Sequence, residues 1–169
     1  MRKKAILLVL ILSLLFAAGC SGPIDESPVD TSSDQTQTVV GSVGLEYLIN
    51  EDGISYSVVG KGTCQDSTIS IPSSYMGKTV TKIAEEAFAY TEGISEIFIP
   101  AAVKYIQAKA FFMCVDLERA VFEETLGWQA LSIPTMPSGD QLALEDAEQA
   151  ATLLMTTYSN FYWMQTNPW

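Results

Sequence analysis

The sequence predicts an α+β fold, in which a short solenoid of stacked repeats lies between an N-terminal β-hairpin and a C-terminal helix. Three observations lead to this prediction. Hydrophobic residues recur with an offset of 23 between residues 80 and 122. Two β-prone runs flank a turn sequence before the repeats, and an apolar pattern with helical spacing follows them. A hydrophobic content of 48% can supply a core for one domain.

The first twenty residues are typical of an exported protein. Basic residues at positions 2–4 precede an apolar run from 5 to 18, and small residues follow. A helix needs about 20 apolar residues to span a bilayer, so an uncleaved membrane helix is the weaker alternative. Residues 1–19 are therefore predicted to be a signal peptide.

The end of that leader, Ala17-Ala18-Gly19-Cys20, resembles the bacterial lipobox, with Ala17 where Leu is usual. The resemblance implies that Cys20 becomes the N-terminal residue and carries acyl chains such as palmitate. Two chains suffice for stable anchoring, since each buried CH₂ contributes about 0.8 kcal/mol. The expected location is the outward face of the bacterial cell membrane.

Residues 20–44 are predicted to be the lipidated cysteine and a disordered tether. The segment is rich in Ser, Thr, Asp, Gln, Pro and Gly and has few apolar side chains, so it cannot bury enough surface to fold. A flexible chain of this length reaches about 25–30 Å. Its expected role is to hold the domain away from the membrane.

The charge and the residue types missing from the chain exclude several functions. Loss of the three basic leader residues would take the net charge from −11 to −14, which disfavours nucleic acid and anionic lipid as partners. The chain has no histidine, the commonest general base and metal ligand. No catalytic site, metal site or cofactor is expected.

Each repeat unit is expected to form one coil. In a short strand, Ile97 and Ile99 share one face, and Pro100 ends the strand because it lacks an N–H. Val103 and Ile106 return the chain inward. Gly77 marks a turn within a five-residue insertion in the preceding unit. The predicted repeat core comprises Ile69, Ile71, Val80, Ile83, Phe88, Ile94, Ile97, Ile99, Val103, Ile106, Phe111, Leu117 and Phe122.

The pattern Ile-x-Ile-Pro-x-x-Val-x-x-Ile-x-x-x-Ala-Phe at residues 97–111 resembles the BspA-like, Treponema-type leucine-rich repeat of bacterial surface proteins. Its positions recur from Ile69 to Phe88, and a third unit begins at Leu117 before Glu123 replaces the proline. For residues 45–125, the resemblance implies a leucine-rich-repeat solenoid that serves binding or adhesion rather than catalysis.

The first and last coils of a repeat stack would expose their hydrophobic core, so each needs a capping structure. Residues 45–49 and 54–58 are predicted to form a hairpin at the start of the repeat domain. Residues 126–169 are predicted to form a C-terminal cap, in which an amphipathic helix presents Ala147, Ala151, Leu154 and Tyr158 on one face. Asp140 or Asp146 is expected to cap the helix.

The aromatic residues of the tail have two interpretations, a sugar-stacking platform or packing of the cap. Aromatics near a helical pattern usually face a core, so packing is favoured. Trp169 is the exception, because a chain terminus is often exposed. The residues concerned are Tyr158, Phe161, Tyr162, Trp163 and Trp169.

Cys64 and Cys114 are predicted to be free, mostly buried thiols. Two rungs of a repeat stack separate them by roughly 9–10 Å, whereas a disulfide requires Cα atoms closer than about 7 Å.

The acidic pairs Glu85-Glu86 and Glu123-Glu124 are interpreted as solvated loop charge, because adjacent side chains on an extended segment diverge. A carbohydrate-active enzyme remains an alternative class. It would require two carboxylates converging in a cleft, roughly 5–10 Å apart.

The predicted function is that of a lipid-anchored cell-surface protein that mediates protein binding or adhesion. Its ligand is an unknown protein or glycan, contacted by the strand face and exposed loops. The alternative is an accessory envelope-assembly lipoprotein that binds a bacterial partner.

Overall fold

The computed structural model of the protein describes residues 41–166, which belong to one compact unit. The predicted signal peptide, the acylated Cys20, most of the tether and Trp169 lie outside the described residues.

Strands dominate this span, with one short α-helix, as expected for the predicted α+β class. In chain order the elements are β1 (Glu46–Ile49), β2 (Ser55–Gly60), β3 (Thr68–Ser70), β4 (Ser74–Tyr75), β5 (Lys78–Ile83), β6 (Glu96–Ile99), β7 (Tyr105–Ile106), β8 (Arg119–Phe122), β9 (Trp128–Leu131), β10 (Asp140–Gln141), α1 (Ala147–Thr152), a π-helical turn (Leu153–Thr157) and β11 (Tyr162–Gln165).

The predicted repeat strands form a parallel sheet in the order β3-β6-β8. Ile69 pairs with Ile97, and Ile97 pairs with Ala120. These partners are the residues that the repeat offsets align in the sequence, so equivalent strands of successive repeat units lie side by side.

A second, larger sheet has the order β1-β2-β5-β7-β11-β9-β10, with β4 paired to β5. Strands β2, β5 and β7 run parallel, while β1 is antiparallel to β2. Only the first pair of strands was predicted from the sequence. The rest escaped prediction because several strands are short; β7, for example, has two residues.

The core lies between the two sheets. Every residue of the predicted repeat core is buried. The rings of Phe88 and Phe111 stack with centroids 5.3 Å apart, so equivalent residues of successive units lie in contact. The turns that carry them also repeat, because Glu86 and Lys109 have left-handed backbone angles of φ 57° and 60°.

The folded part begins earlier than predicted. Ser42, assigned to the tether from sequence, donates its N–H to the Ser70 carbonyl at 2.7 Å, and its Oγ accepts from the Ser70 N–H at 3.0 Å. This short segment lies along the outer edge of β3. Two backbone hydrogen-bonding groups of that edge are thereby satisfied, which explains why a polar, glycine-containing segment is ordered here.

The C-terminal segment differs from the predicted helix followed by packed aromatics. Asp146 caps α1, accepting from the N–H groups of Glu148 and Gln149 at 3.0 and 2.9 Å, as predicted for one of two candidate aspartates. The helical stretch has the predicted extent, but its second half is a π-helical turn. Strands β9, β10 and β11 were not predicted. Strand β11 lies antiparallel between β7 and β9, where a further coil would otherwise continue the parallel row.

Candidate functional site

One cross-strand row of side chains runs over the outer face of the larger sheet. Cross-strand partners share a face of a pleated sheet. The ladder pairings link the row stepwise in the order Leu48, Ser57, Lys82, Tyr105, Met164, Gln129 and Gln141. The row therefore crosses seven strands, and the residues that point inward from the same strands, such as Val58 and Trp163, are buried.

Two adjacent depressions lie along this row. The larger, of about 460 Å³, is bounded by β1, β2, β5 and β7 and by the turn after β1. The smaller, of about 160 Å³, extends toward Leu131, Pro134 and Tyr162. Lys82, Tyr105 and Gln107 line both depressions. We call the combined feature the outer-sheet groove; its larger part falls within the usual size of ligand pockets, about 300–1,000 Å³.

A network of small polar side chains forms the floor of the larger depression. The Asn50 amide donates to Ser55 Oγ at 2.7 Å and to Thr81 Oγ1 at 3.2 Å, and it accepts from Ser57 Oγ at 2.5 Å. Thr81 Oγ1 in turn donates to Ser55 Oγ at 3.2 Å. Because one amide joins three hydroxyl groups on two strands, the floor is rigid before any ligand arrives.

The turn Asn50-Glu51-Asp52-Gly53 forms one wall. Asp52 Oδ1 accepts from the backbone N–H groups of Ile54 and Ser55 at 2.9 and 3.0 Å, and Oδ2 accepts from Ser55 Oγ at 2.6 Å. The Ser55 hydroxyl, the Ile54 N–H and the positive charge of Lys82 lower the pKa of Asp52. Asp52 is therefore an ionised structural acceptor at neutral pH.

The exposed face of the other sheet was the predicted contact surface. Within residues 41–166, the outer-sheet groove and two further depressions are not lined by residues of its three strands. Its outer face carries an ion pair between Arg119 Nε and Glu96 Oε1 at 3.0 Å, beside half-buried Phe98 and Val121. Sequence reasoning placed the site on this face because the repeat pattern predicts these strands and not those of the larger sheet.

The tail aromatics divide between core and surface. Trp163 is buried, stacks on Phe122 at 6.2 Å and donates its Nε1–H to the Tyr158 carbonyl at 3.1 Å. Tyr158 and Phe161 pack edge to face at 5.2 Å. Among the described members, packing thus accounts for Tyr158, Phe161 and Trp163, as predicted. Both Tyr162 and the buried Trp163 line the smaller depression.

The acidic pairs make separate contacts in different loops. Glu86 lies 3.6 Å from Lys109 Nζ, Glu123 accepts from the Ala101 N–H at 2.8 Å, and Glu124 accepts from the Leu126 N–H at 2.9 Å. Across residues 41–166 no group of three or more cysteine, aspartate or glutamate side chains could hold a metal ion.

Both described cysteines are free and buried, as predicted. Burial raises the pKa of Cys114 to about 11, and nearby Asp116 adds to the shift. This thiol is therefore protonated and unreactive at neutral pH.

No helix within the described part of the chain is both long and apolar enough to cross a bilayer.

Residues 59–129 match the family model described as "BspA type Leucine rich repeat region (6 copies)". Three solved structures are also similar. A leucine-rich repeat protein from Bacteroides capillosus is 24% identical over 53% of this chain and 69% of that chain, with a TM-score of 0.46. The T. pallidum leucine-rich repeat protein is 22% identical, covering 46% of this chain and 36% of that one, with a TM-score of 0.44.

The third, a leucine-rich cell surface protein from Faecalibacterium prausnitzii, is 22% identical over 52% of this chain and 24% of that chain, with a TM-score of 0.43. A comparison with curated proteins finds no match.

Proposed function

Through residues 59–129, this chain belongs to the BspA-type leucine-rich-repeat family, and we propose that it is a lipid-anchored binding protein of the bacterial surface, acting in adhesion rather than catalysis. Proteins of this repeat family are generally protein-binding scaffolds and are typically surface-exposed. In this proposal residues 1–19 are a cleaved leader, Cys20 carries the acyl chains, and the following segment is the tether.

The described domain then acts as a short solenoid closed at both ends. The β1–β2 pair covers the first coil, and α1 with β11 covers the last. Support for this comes from the pairing of β11 with both β7 and β9, since an inserted antiparallel strand ends a parallel stack. Because both ends of such a stack are covered, its ligand contacts come from a side face.

The observation that carries the proposal is the outer-sheet groove, a depression with a preorganised polar floor. Lys82, Tyr105 and Gln107 at its centre are side chains suited to binding, because they combine a cation, an aromatic ring and an amide. Two carboxylates, Glu51 and Asp52, also line it.

The lowered pKa of Asp52 argues against this carboxylate as the general acid of a glycosidase. A glycosidase needs one carboxylic acid that stays protonated near neutral pH and therefore has a raised pKa. The hydrogen bonds to Asp52 shift its pKa in the opposite direction. Asp52 is thus suited to holding the turn rather than to protonating a leaving group.

The test displays the intact chain in many copies on phosphatidylcholine vesicles. Attachment is measured to immobilised extracellular-matrix proteins, to mucin, and to envelope extract of the source bacterium, because a small binding face benefits from multivalency. Saturable attachment to matrix protein or mucin supports adhesion. Attachment to the envelope extract alone would replace adhesion with the envelope-assembly alternative, and cross-linking in intact cells would then identify the bacterial partner.

A further inference from the structure

We propose that the outer-sheet groove binds a neutral, polyhydroxylated ligand, a short oligosaccharide. This inference rests on the proposed function and deepens it, because it names the ligand class of the same groove.

The backbone of the groove floor is not available to a ligand. Strand β2 pairs with β1 and β5, strand β5 pairs with β2 and β7, and strand β7 pairs with β5 and β11. A peptide that binds as an added strand needs a free strand edge. The floor offers a sheet face instead, so its ligand must be recognised by side chains.

The polar side chains of the larger depression are mainly amides and hydroxyls. Such groups both donate and accept hydrogen bonds, as do the hydroxyl groups of a sugar. Gln107 Oε1 accepts from the Glu85 N–H at 3.1 Å, which orients the amide and leaves its NH₂ as a donor. The donors of Asn50, Ser57 and Thr81 are used within their shared network, so these side chains offer oxygen acceptors to the hydroxyl donors of a sugar. Because the network holds them in place, little conformational entropy is lost on binding.

An aromatic ring stands at the centre of the groove. Tyr105 is 46% exposed, although it belongs to a strand paired on both sides. Its ring offers an apolar face beside a polar floor, and its hydroxyl adds a hydrogen-bonding group. A pyranose ring has the matching properties, an apolar C–H face and a polar rim of hydroxyls.

The charge distribution favours a neutral ligand. Residues 41–166 contain six basic and sixteen acidic side chains, a net charge of −10, so the protein repels polyanions at long range. Within the groove, Lys82 lines the same depression as the carboxylates of Glu51 and Asp52. The near balance of charge there leaves no strong attraction for either a polyanion or a polycation.

The test uses the intact chain, purified in a detergent without a sugar headgroup. It is applied to an array of neutral hexose and N-acetylhexosamine oligomers, with sialylated and sulfated oligosaccharides alongside. We expect binding to neutral members, weakened about tenfold or more by Tyr105→Ala, the loss typical of removing an aromatic anchor. Tyr105→Phe keeps the ring and should retain most binding. Tyr90→Ala is the matched control, since Tyr90 is 68% exposed and lies outside the groove.

Preference for acidic oligosaccharides, or binding that Tyr105→Ala leaves unchanged, would overturn the inference. Absence of oligosaccharide binding, while the vesicle assay still finds Tyr105-dependent attachment to a protein, would overturn the inference and leave the proposed function standing. Absence of both kinds of binding would overturn both.

Discussion

Lys82 and Tyr105 are direct partners in the parallel ladder of β5 and β7, and both side chains line both halves of the outer-sheet groove. A cation and an exposed aromatic ring therefore stand side by side at the middle of a row that crosses the sheet. The buried partners of the same strands, Ile83 and Ile106, form the next pair of the ladder and face the core. One strand pair thus supplies both the core and the surface that we assign to binding.

The floor network should contribute to stability as well as to binding. Asn50→Ala is expected to lower the free energy of unfolding by about 1–3 kcal/mol, because the hydroxyls of Ser57 and Thr81 each lose a partner in a partly buried site. Urea denaturation followed by circular dichroism measures the change. The control is Asn160→Ala at an exposed position, expected to stay within about 0.5 kcal/mol of wild type. Equal stabilities for the two variants would argue against a rigid floor.

The packing of the N-terminal segment against the first coil depends on Gly62. This residue has φ +54°, and a Cβ on it would lie 2.4 Å from the Gly44 carbonyl oxygen. Gly77 also has a positive φ, but open space surrounds it. Gly77→Ala should therefore lower the free energy of unfolding by about 1–2 kcal/mol, from backbone strain alone. Gly62→Ala should lower it clearly more, because the new Cβ also collides with the Gly44 carbonyl. Thermal unfolding of both variants checks that Gly62→Ala is the less stable of the two. Equal stabilities, or a less stable Gly77→Ala, would contradict the packing of residues 41–44 against Gly62.

The inserted strand β11 should be essential to the fold. Met164 pairs with Tyr105 on one side and Gln129 on the other, so Met164→Pro removes a ladder hydrogen bond from a strand with no free edge. We expect a loss of about 3 kcal/mol or more. Met164→Val retains the N–H and is the control for the change of side chain. A proline variant as stable as the valine variant would contradict the placement of β11.

Counting thiols tests both the free cysteines and the lipid anchor. The chain has three cysteines. If Cys20 carries a thioether-linked lipid, the membrane-extracted chain should titrate as two thiols after denaturation without reductant. Three thiols would contradict acylation, and none would contradict the free state of Cys64 and Cys114.

The same thiols give a pH prediction. Burial raises the pKa of Cys114 to about 11, so the folded state holds its proton more tightly than the unfolded state, whose thiol has a pKa of about 8.5. The stabilisation is fully present below the unfolded pKa and is lost as the pH rises toward the folded value. Chemical denaturation should give a lower free energy of unfolding at pH 10 than at pH 8. In Cys114→Ala, which lacks the thiol, this difference between the two pH values should be smaller.

Sequence reasoning predicts the parts of this fold that repeat. Ile69, Ile97 and Ala120 occupy equivalent positions, and the parallel ladder follows from their offsets. The second sheet has no such signal. Strand β7 has two residues, and β11 pairs with a strand some sixty positions earlier, so neither periodicity nor local propensity indicates them.

The groove could not be predicted for a related reason. Asn50, Lys82 and Gln107 are ordinary polar residues in three separate segments, and only the ladder brings them together. The sequence did predict the buried faces, because hydrophobic burial leaves a periodic pattern. A polar site on an outer face leaves none.

The most direct test of the groove as the binding site compares two faces of the same molecule. Intact chains carrying Tyr105→Ala in the groove or Arg119→Ala on the opposite sheet are displayed on vesicles, and their attachment to immobilised mucin and matrix protein is measured. Arg119 is half exposed and makes one surface ion pair with Glu96, so its loss should have little effect on stability. We predict that Tyr105→Ala weakens attachment about tenfold or more while Arg119→Ala retains it. Loss of attachment with Arg119→Ala and its retention with Tyr105→Ala would contradict the account and place binding on the β3-β6-β8 face.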